Sequence, residues 1–303
     1  MIISASRRTD IPAFYANWFI GRIRAGFCEV SNPFNPRQVT RVSLLPEDVE
    51  VIVFWTRNPR PMMRFLPELT ARGYRYYFLF TVVDYPRLLE TATPSLPTAI
   101  SVFKRLVDTM GPERVVWRYD PIIFSNLTGP AFHEATFARV ASALRGQTTR
   151  CVISFLTPYR KVLRRLSRLE TRGFRLEEIK AEARDQLLRR LADCARQNAM
   201  ELMGCATGGE FHLLGIQDGK CIDDDLIRRA FGMSVPGRKD PCQRESCRCI
   251  VSRDIGAYDT CPFGCQYCYA TSSFELAKSR YRRHHPDAVA LLLPENSTSS
   301  QTR

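Results

Sequence analysis

The sequence predicts an α/β fold with a parallel sheet, and two observations support this prediction. Short runs rich in β-branched and aromatic residues alternate with longer segments of helical periodicity, which favours parallel strands joined by right-handed crossovers. Each apolar run also ends in polar side chains, and α/β proteins place their active sites at the carboxyl ends of the strands.

Seven strands account for the apolar runs. They are predicted at residues 1–6, 49–55, 74–83, 114–118, 150–156, 201–205 and 249–254. Helices are predicted between and after them, at residues 13–25, 62–71, 97–110, 132–144, 176–198 and 272–283. This number of strands fits a (β/α)6–7 partial TIM-type barrel, and an open doubly wound sheet is the alternative.

The composition is that of a soluble globular protein. Of 303 residues, 45% are hydrophobic and 25% are charged. The chain has no apolar run long enough to span a membrane and no signal-peptide pattern at its start, so we expect a cytoplasmic location and no membrane partner. The formal net charge of +13 makes nucleic acid a candidate partner, although solvated arginine-rich faces are the simpler explanation.

Cysteine usage indicates metal or cluster ligation. The chain has 11 cysteines, and in a cytosolic protein so many suggest ligands rather than disulfides. Cys261, Cys265 and Cys268 have the spacing C-x3-C-x2-C, and Gly264 permits a sharp turn before the second cysteine. Structural zinc usually takes four ligands, whereas a [4Fe–4S] cluster held by three thiolates leaves one iron free to bind another ligand.

This motif, with Tyr267 before its third cysteine, resembles the cluster motif of the radical S-adenosylmethionine (SAM) enzymes. The resemblance implies a [4Fe–4S] cluster on the three cysteines, SAM bound to the free iron, and an electron donor such as flavodoxin or ferredoxin. It also implies that Tyr267 lies near the adenine of SAM. We assign Arg57, at the end of a predicted strand, to cofactor binding as well.

Four further blocks extend the resemblance over nearly the whole chain. Residues 4–12, 54–59, 117–121 and 252–256 are similar to those of the domain-of-unknown-function family 1848. That family has no known reaction, so the resemblance implies a cofactor and leaves the substrate open.

The late position of the motif implies a permuted fold. Radical SAM enzymes usually carry the motif early in their barrel, whereas here it spans residues 261–268. Because the first and last strands of a barrel are neighbours, moving the first unit to the carboxyl terminus preserves the architecture. We predict one circularly permuted radical SAM barrel over residues 1–286, with the cluster loop at 259–270 and a largely disordered tail at 287–303.

Four other cysteines form a second group. Cys205, Cys221, Cys247 and Cys249 could hold a second [4Fe–4S] cluster or a zinc ion. Cys242 could replace one of them, and unrelated thiols are the alternative. In the permuted barrel we expect Cys205 to end the strand beside the cluster strand.

Polar strand ends predict the substrate side of the site. Arg7, Arg8 and Asp10 follow the first strand, and Arg118 and Asp120 end the fourth. We predict these five as catalytic residues that contact substrate or cofactor, with a buried structural Arg–Asp pair as the alternative. The run Gly208-Gly209-Glu210 is similar to a SAM-binding element of the superfamily, but a glycine turn explains it more simply.

The leading hypothesis is therefore a radical SAM enzyme. It implies reductive cleavage of SAM to methionine and a 5′-deoxyadenosyl radical that acts on an unknown substrate. The alternative is a non-catalytic iron–sulfur or zinc protein that binds nucleic acid through its basic charge. The polar strand ends favour the enzyme, because a binding module does not need them at every strand.

Overall fold

A computed structural model describes residues 1–292 as a parallel sheet flanked by helices. The strands in chain order are β1 (Ile2–Ala5), β2 (Phe27–Asn32), β3 (Asn35–Ser43), β4 (Val51–Thr56), β5 (Tyr76–Thr81), β6 (Val115–Ile122), β7 (Arg150–Phe155), β8 (Glu201–Cys205), β9 (Gln217–Gly219) and β10 (Arg253–Asp254). Eight strands form the sheet in the order β10-β1-β4-β5-β6-β7-β8-β9, and β2 and β3 form an antiparallel hairpin.

The helices lie between the strands, as the sequence pattern predicts. They are α1 (Ile11–Phe14), α2 (Ala16–Ala25), α3 (Arg60–Met63), α4 (Leu66–Ala71), α5 (Leu96–Met110), α6 (Pro130–Ala143), α7 (Arg160–Ser167), α8 (Ala181–Gln197), α9 (Asp224–Phe231) and α10 (Phe274–Arg283). The sequence did not predict the hairpin, β9, α7 or α9. The strand predicted at residues 249–254 is shorter than expected, because only Arg253 and Asp254 pair with a neighbour.

The last strand lies beside the first, as predicted. Ile3 pairs with Arg253 and Ser4 pairs with Asp254, both in parallel. Every hydrogen-bonded neighbour in the sheet is parallel, so the carboxyl ends of the strands share one edge. Among the described residues the two edge strands, β10 and β9, do not pair with each other, so the strands form an open eight-stranded sheet.

Both faces of the sheet are buried, which explains the near-continuous apolar runs in its sequence. One face packs on the helices in a large core that includes Trp18, Phe54 and Phe103. On the other face, side chains from β1 and β4–β8 share a second core with the segment of residues 221–250. The Tyr77 hydroxyl on this face donates to the carbonyl of Cys221 at 2.7 Å.

Residues 287–292 pack against the rest of the protein. The Glu29 N–H donates to the carbonyl of Val289 at 2.8 Å, and the Trp18 indole N–H donates to the carbonyl of Ala288 at 2.8 Å. The disorder predicted from residue 287 therefore does not extend to these six residues. The rest of the predicted tail, residues 293–303, lies outside the described residues.

No helix within residues 1–292 combines the length and apolar character that crossing a membrane requires.

Replacement of Gly256 by alanine should destabilise the protein. A Cβ there would collide with the side chain of Ser6, which donates to Asp254 at 2.7 Å. We expect urea denaturation to give a free energy of unfolding lower by about 1–3 kcal/mol. Gly21→Ala is the control, because it adds a methyl group in ordinary contact on a helix and should be neutral or stabilising. Equal values for wild type and Gly256→Ala would contradict this account.

Candidate metal centre

The cysteine loop, residues 257–271, follows β10 at the carboxyl edge of the sheet. Burial raises the pKa of the Cys261 thiol, and the nearby Cys268 and Cys265 raise it further. Burial likewise raises the pKa of Cys265 to about 12. The structure therefore brings the three predicted ligands together, where two of the thiols keep their protons unless a metal replaces them.

Gly264 is required at the turn of this loop for two separate reasons. Its φ of +71° lies in the left-handed region, which glycine adopts without steric cost. A Cβ at this position would also collide with the Thr91 hydroxyl, which donates to the carbonyl of Phe263 at 3.2 Å. The turn predicted from the sequence is confirmed.

The buried guanidinium of Arg165, on α7, holds the loop from one side. It donates to the backbone carbonyls of Gln266 at 2.9 Å, Cys268 and Thr271. Burial lowers the pKa of Arg165, and the neighbouring thiols raise it. A fixed cation thus satisfies three carbonyls that the tight loop leaves without backbone partners.

The segment of residues 86–92, after β5, holds the loop from the other side. The Gln266 N–H donates to the carbonyl of Leu89 at 2.9 Å, and the Ala92 N–H donates to the carbonyl of Phe263 at 3.2 Å. Glu90 in this segment forms an isolated bridge with Cys265. The loop is therefore fixed by the protein on two sides.

The two residues predicted to bind cofactor, Tyr267 and Arg57, meet at Glu90. The Arg57 guanidinium lies 2.8 Å from the Glu90 carboxylate, and the Tyr267 hydroxyl is hydrogen-bonded to both. All three are buried or nearly so. Their polar atoms therefore satisfy one another next to Cys265, and no described contact tests the predicted proximity of Tyr267 to adenine.

Asp10 and Arg8, two of the predicted catalytic residues, contact other residues at or beside the cysteine loop. The Asp10 carboxylate caps α1 and accepts hydrogen bonds from the Thr56 hydroxyl at 2.8 Å and the Arg57 N–H at 2.6 Å. Burial raises the pKa of Asp10 to about 7, against the opposing effect of these hydrogen bonds. The Arg8 guanidinium lies 5.2 Å from the ring of Tyr258 in the cysteine loop.

The other three predicted catalytic residues lie together around Trp55. The guanidinium groups of Arg7 and Arg118 lie 5.2 and 4.8 Å from the indole ring centre. Arg118 also pairs with Asp120 at 2.7 Å. The Tyr269 hydroxyl, in the cysteine loop, donates to the carbonyl of Arg7 at 2.8 Å. We call Arg7, Trp55, Arg118 and Tyr269 the arginine layer.

The second cysteine group also converges, beside the guanidinium groups of Arg7 and Arg118. The Cys205 and Cys221 sulfurs lie 3.5 Å apart, and the Cys221 N–H donates to the Cys249 sulfur at 3.3 Å. Cys247 contacts both Cys205 and Cys249. Cys242 is exposed and lies outside the group. The predicted position of Cys205 is wrong, because β8 pairs with β7 and β9 and not with β10.

A cavity of about 730 Å³ lies beside Glu90. Its walls include Tyr85, Arg87, Lys104 and Arg139. Its lining residues include none from the cysteine loop, so we do not assign it to the metal centre.

Sequence reasoning missed Arg165, Glu90 and Trp55, which the fold brings to the site from three separate elements. Trp55 stands among polar strand ends and could have been included with them. Arg165 and Glu90 lie in charged stretches of sequence that contain no motif indicating a role at the site. The interpretation of Gly208 and Gly209 as a turn is confirmed, since both have positive φ.

Replacement of Arg165 by methionine should loosen the cysteine loop. The variant keeps the apolar stem but removes the donors to three carbonyls, each hydrogen bond being worth about 1.5–3 kcal/mol. We expect amide hydrogen exchange to accelerate by roughly tenfold or more in residues 257–271 and to stay unchanged in β5–β7. Arg164→Met, at the exposed neighbouring position, is the matched control. Unchanged exchange rates in Arg165→Met would refute the role of Arg165 in holding the cysteine loop.

Comparison with known proteins gives a family and no function. No curated protein matches the chain. Among solved structures, guanine deaminase from C. acetobutylicum, with guanine bound in its active site, is 10% identical with a TM-score of 0.35. The alignment covers 72% of this chain and 58% of the deaminase, and a likeness of this degree carries no argument. The model of a domain of unknown function, DUF1848, matches residues 2–270, and the chain therefore belongs to the DUF1848 family.

Proposed function

We propose that the protein is an iron–sulfur enzyme of the radical SAM type. The observation that carries this proposal is the convergence of Cys261, Cys265 and Cys268 on a fixed loop at the carboxyl edge of a parallel sheet. Three thiolates with cationic neighbours suit a [4Fe–4S] cluster with one open iron. The Ala270 N–H, which donates to the Cys268 sulfur at 3.3 Å, is a contact typical of cluster ligands.

The residues around the loop fit such a cluster. Arg57 lowers the pKa of Cys265, opposing burial, and so favours the thiolate that a metal needs. Arg165 orients the loop backbone through three carbonyls. When bound, the cluster and SAM supply one-electron reductive cleavage of SAM to methionine and a 5′-deoxyadenosyl radical. Tyr267 and Arg57 would contact the cofactor, and the buried Glu90 would hold both in place and exclude water.

We further propose that the sheet is a circularly permuted partial barrel. Side chains from six strands share one inner core with residues 221–250. That segment connects β9 to β10, and within it the Ile250 N–H donates to the carbonyl of Ile222 at 3.1 Å. The segment would fill the inside and span the gap between the two edge strands.

The arginine layer is the proposed substrate surface. Arg7 Nη2 and Arg118 Nε are buried and have no hydrogen-bond partner among the described residues, which is costly for donors of a charged group. A substrate group that accepts hydrogen bonds would satisfy both atoms. Asp120 then serves to orient Arg118 rather than to contact substrate, since the two already pair.

The test is cleavage of SAM. Protein reconstituted with iron and sulfide without oxygen, then reduced with dithionite, should convert SAM to 5′-deoxyadenosine even without substrate, as quantified by mass spectrometry. Cys265→Ala should abolish this product, because two thiolates cannot hold the cluster. The exposed Cys242→Ala is the matched control and should retain it.

Two outcomes would overturn the proposal. One is the absence of 5′-deoxyadenosine from a preparation that contains its full complement of iron and sulfide. The other is equal product from the wild type and Cys265→Ala, which would place the activity elsewhere.

A further inference from the structure

We infer that Cys205, Cys221, Cys247 and Cys249 bind one tetrahedral divalent metal ion, zinc, in a closed four-thiolate site. This site is separate from the cysteine loop and does not depend on the proposed SAM chemistry. It is a metal site of the structural class, because four protein thiolates leave no position open for substrate.

The four cysteine side chains come from separate segments of the chain, and their sulfurs form a buried ring. Cys205 ends β8, Cys221 lies two residues after β9, and Cys247 and Cys249 precede β10. All four are at most 8% exposed. Around the ring, Cys205 contacts Cys221 and Cys247, while Cys249 contacts Cys221 and Cys247.

The spacing of the ring favours a single ion over a cluster. With Zn–S bonds of about 2.3 Å, a tetrahedron places its sulfurs about 3.8 Å apart, close to the 3.5 Å between Cys205 and Cys221. An iron–sulfur cage separates its thiolates more widely. Within residues 1–292 no three of these sulfurs lie within 4.8 Å of one another, so the ring is wider than a closed tetrahedral site. Small side-chain rotations would therefore close it into a tetrahedron.

The surroundings neutralise the charge of such a site. Four thiolates and one divalent ion carry a net charge of minus two. The Arg7 guanidinium lies against Cys249, and Arg118 lies near Cys205 and Cys221, so two cations face the two excess negative charges. The N–H groups of Cys221 and Ile222 point at the Cys249 sulfur at 3.3 and 3.5 Å, which further stabilises a thiolate.

The position of the ring gives the ion a structural role. It would tie the carboxyl ends of β8 and β9, at one edge of the sheet, to the segment that leads into β10 at the other edge. The ion would thereby fix the parts of the chain that lie beside Arg7 and Arg118 in the arginine layer. Metal binding would also contribute directly to the free energy of folding.

The test uses full-length protein in which the cysteine loop cannot bind metal. Cys261→Ala/Cys265→Ala/Cys268→Ala protein, produced with both iron and zinc in the medium and purified without oxygen, should contain about one zinc and little iron by mass spectrometry. Adding Cys249→Ser should remove the zinc, whereas adding Cys242→Ala should leave it. About four irons with sulfide would overturn the zinc assignment in favour of a cluster, and absence of both metals would overturn the site.

A second measurement covers the case in which Cys249→Ser does not fold. Cobalt replaces zinc in the same triple variant, and its visible spectrum distinguishes tetrahedral thiolate ligation from other sites. We expect thiolate-to-cobalt charge-transfer bands that persist, with reduced intensity, in Cys249→His, because histidine is also a zinc ligand. Spectra without thiolate charge transfer, or spectra unaffected by the change at Cys249, would refute ligation by this group.

Discussion

The whole site depends on a very short pairing between the last strand of the sheet and the first. Only two residue pairs join β10 to β1, yet they place a loop from residues 257–271 beside chain from residues 2–10. Asp254 reinforces the pairing, because its carboxylate accepts from Ser4 and Ser6 hydroxyls at 2.9 and 2.7 Å and from the Arg7 N–H at 2.8 Å. Bringing together residues that are so far apart in sequence lowers the conformational entropy of the chain. These hydrogen bonds offset part of that cost. If this edge opens, the cysteine loop loses its contact with Arg7, whose carbonyl accepts from the Tyr269 hydroxyl.

Buried cations explain much of the remaining organisation. A buried guanidinium is unfavourable unless it finds partners, and three arginines at this edge meet that need differently. Arg57 has the Glu90 carboxylate and Arg118 has Asp120. Arg165 has no ion pair within residues 1–292 and donates to backbone carbonyls. The carbonyls satisfy hydrogen bonding at Arg165 but do not neutralise it. Thiolates at Cys265 and Cys268, once deprotonated by a metal, would supply the missing negative charge. Metal binding would thus make the loop electrostatically more favourable.

The sequence allowed the frame of the fold and the cysteine loop to be predicted, because both depend on local patterns. Apolar runs, helical periodicity and the glycines that end helices identify most strands and helices. The cysteine spacing with Gly264 identifies the turn of the cysteine loop. The hairpin of β2 and β3 escaped prediction because its proline- and asparagine-rich turn is typical of a loop. Arg165 and Glu90 escaped because their role arises only when α7 and the segment after β5 meet the cysteine loop. The partners of β8 were wrongly predicted because local periodicity identifies a strand but does not determine which strands lie beside it in the sheet.

The central claim is that the cysteine loop holds a cluster with one iron that the protein does not ligate. Mössbauer spectroscopy of protein reconstituted with 57Fe, recorded with and without SAM, tests this directly. The account predicts that SAM changes the parameters of one iron site in each cluster and leaves the other three as they were. A spectrum that SAM does not alter, in protein that contains the complete cluster, would contradict it.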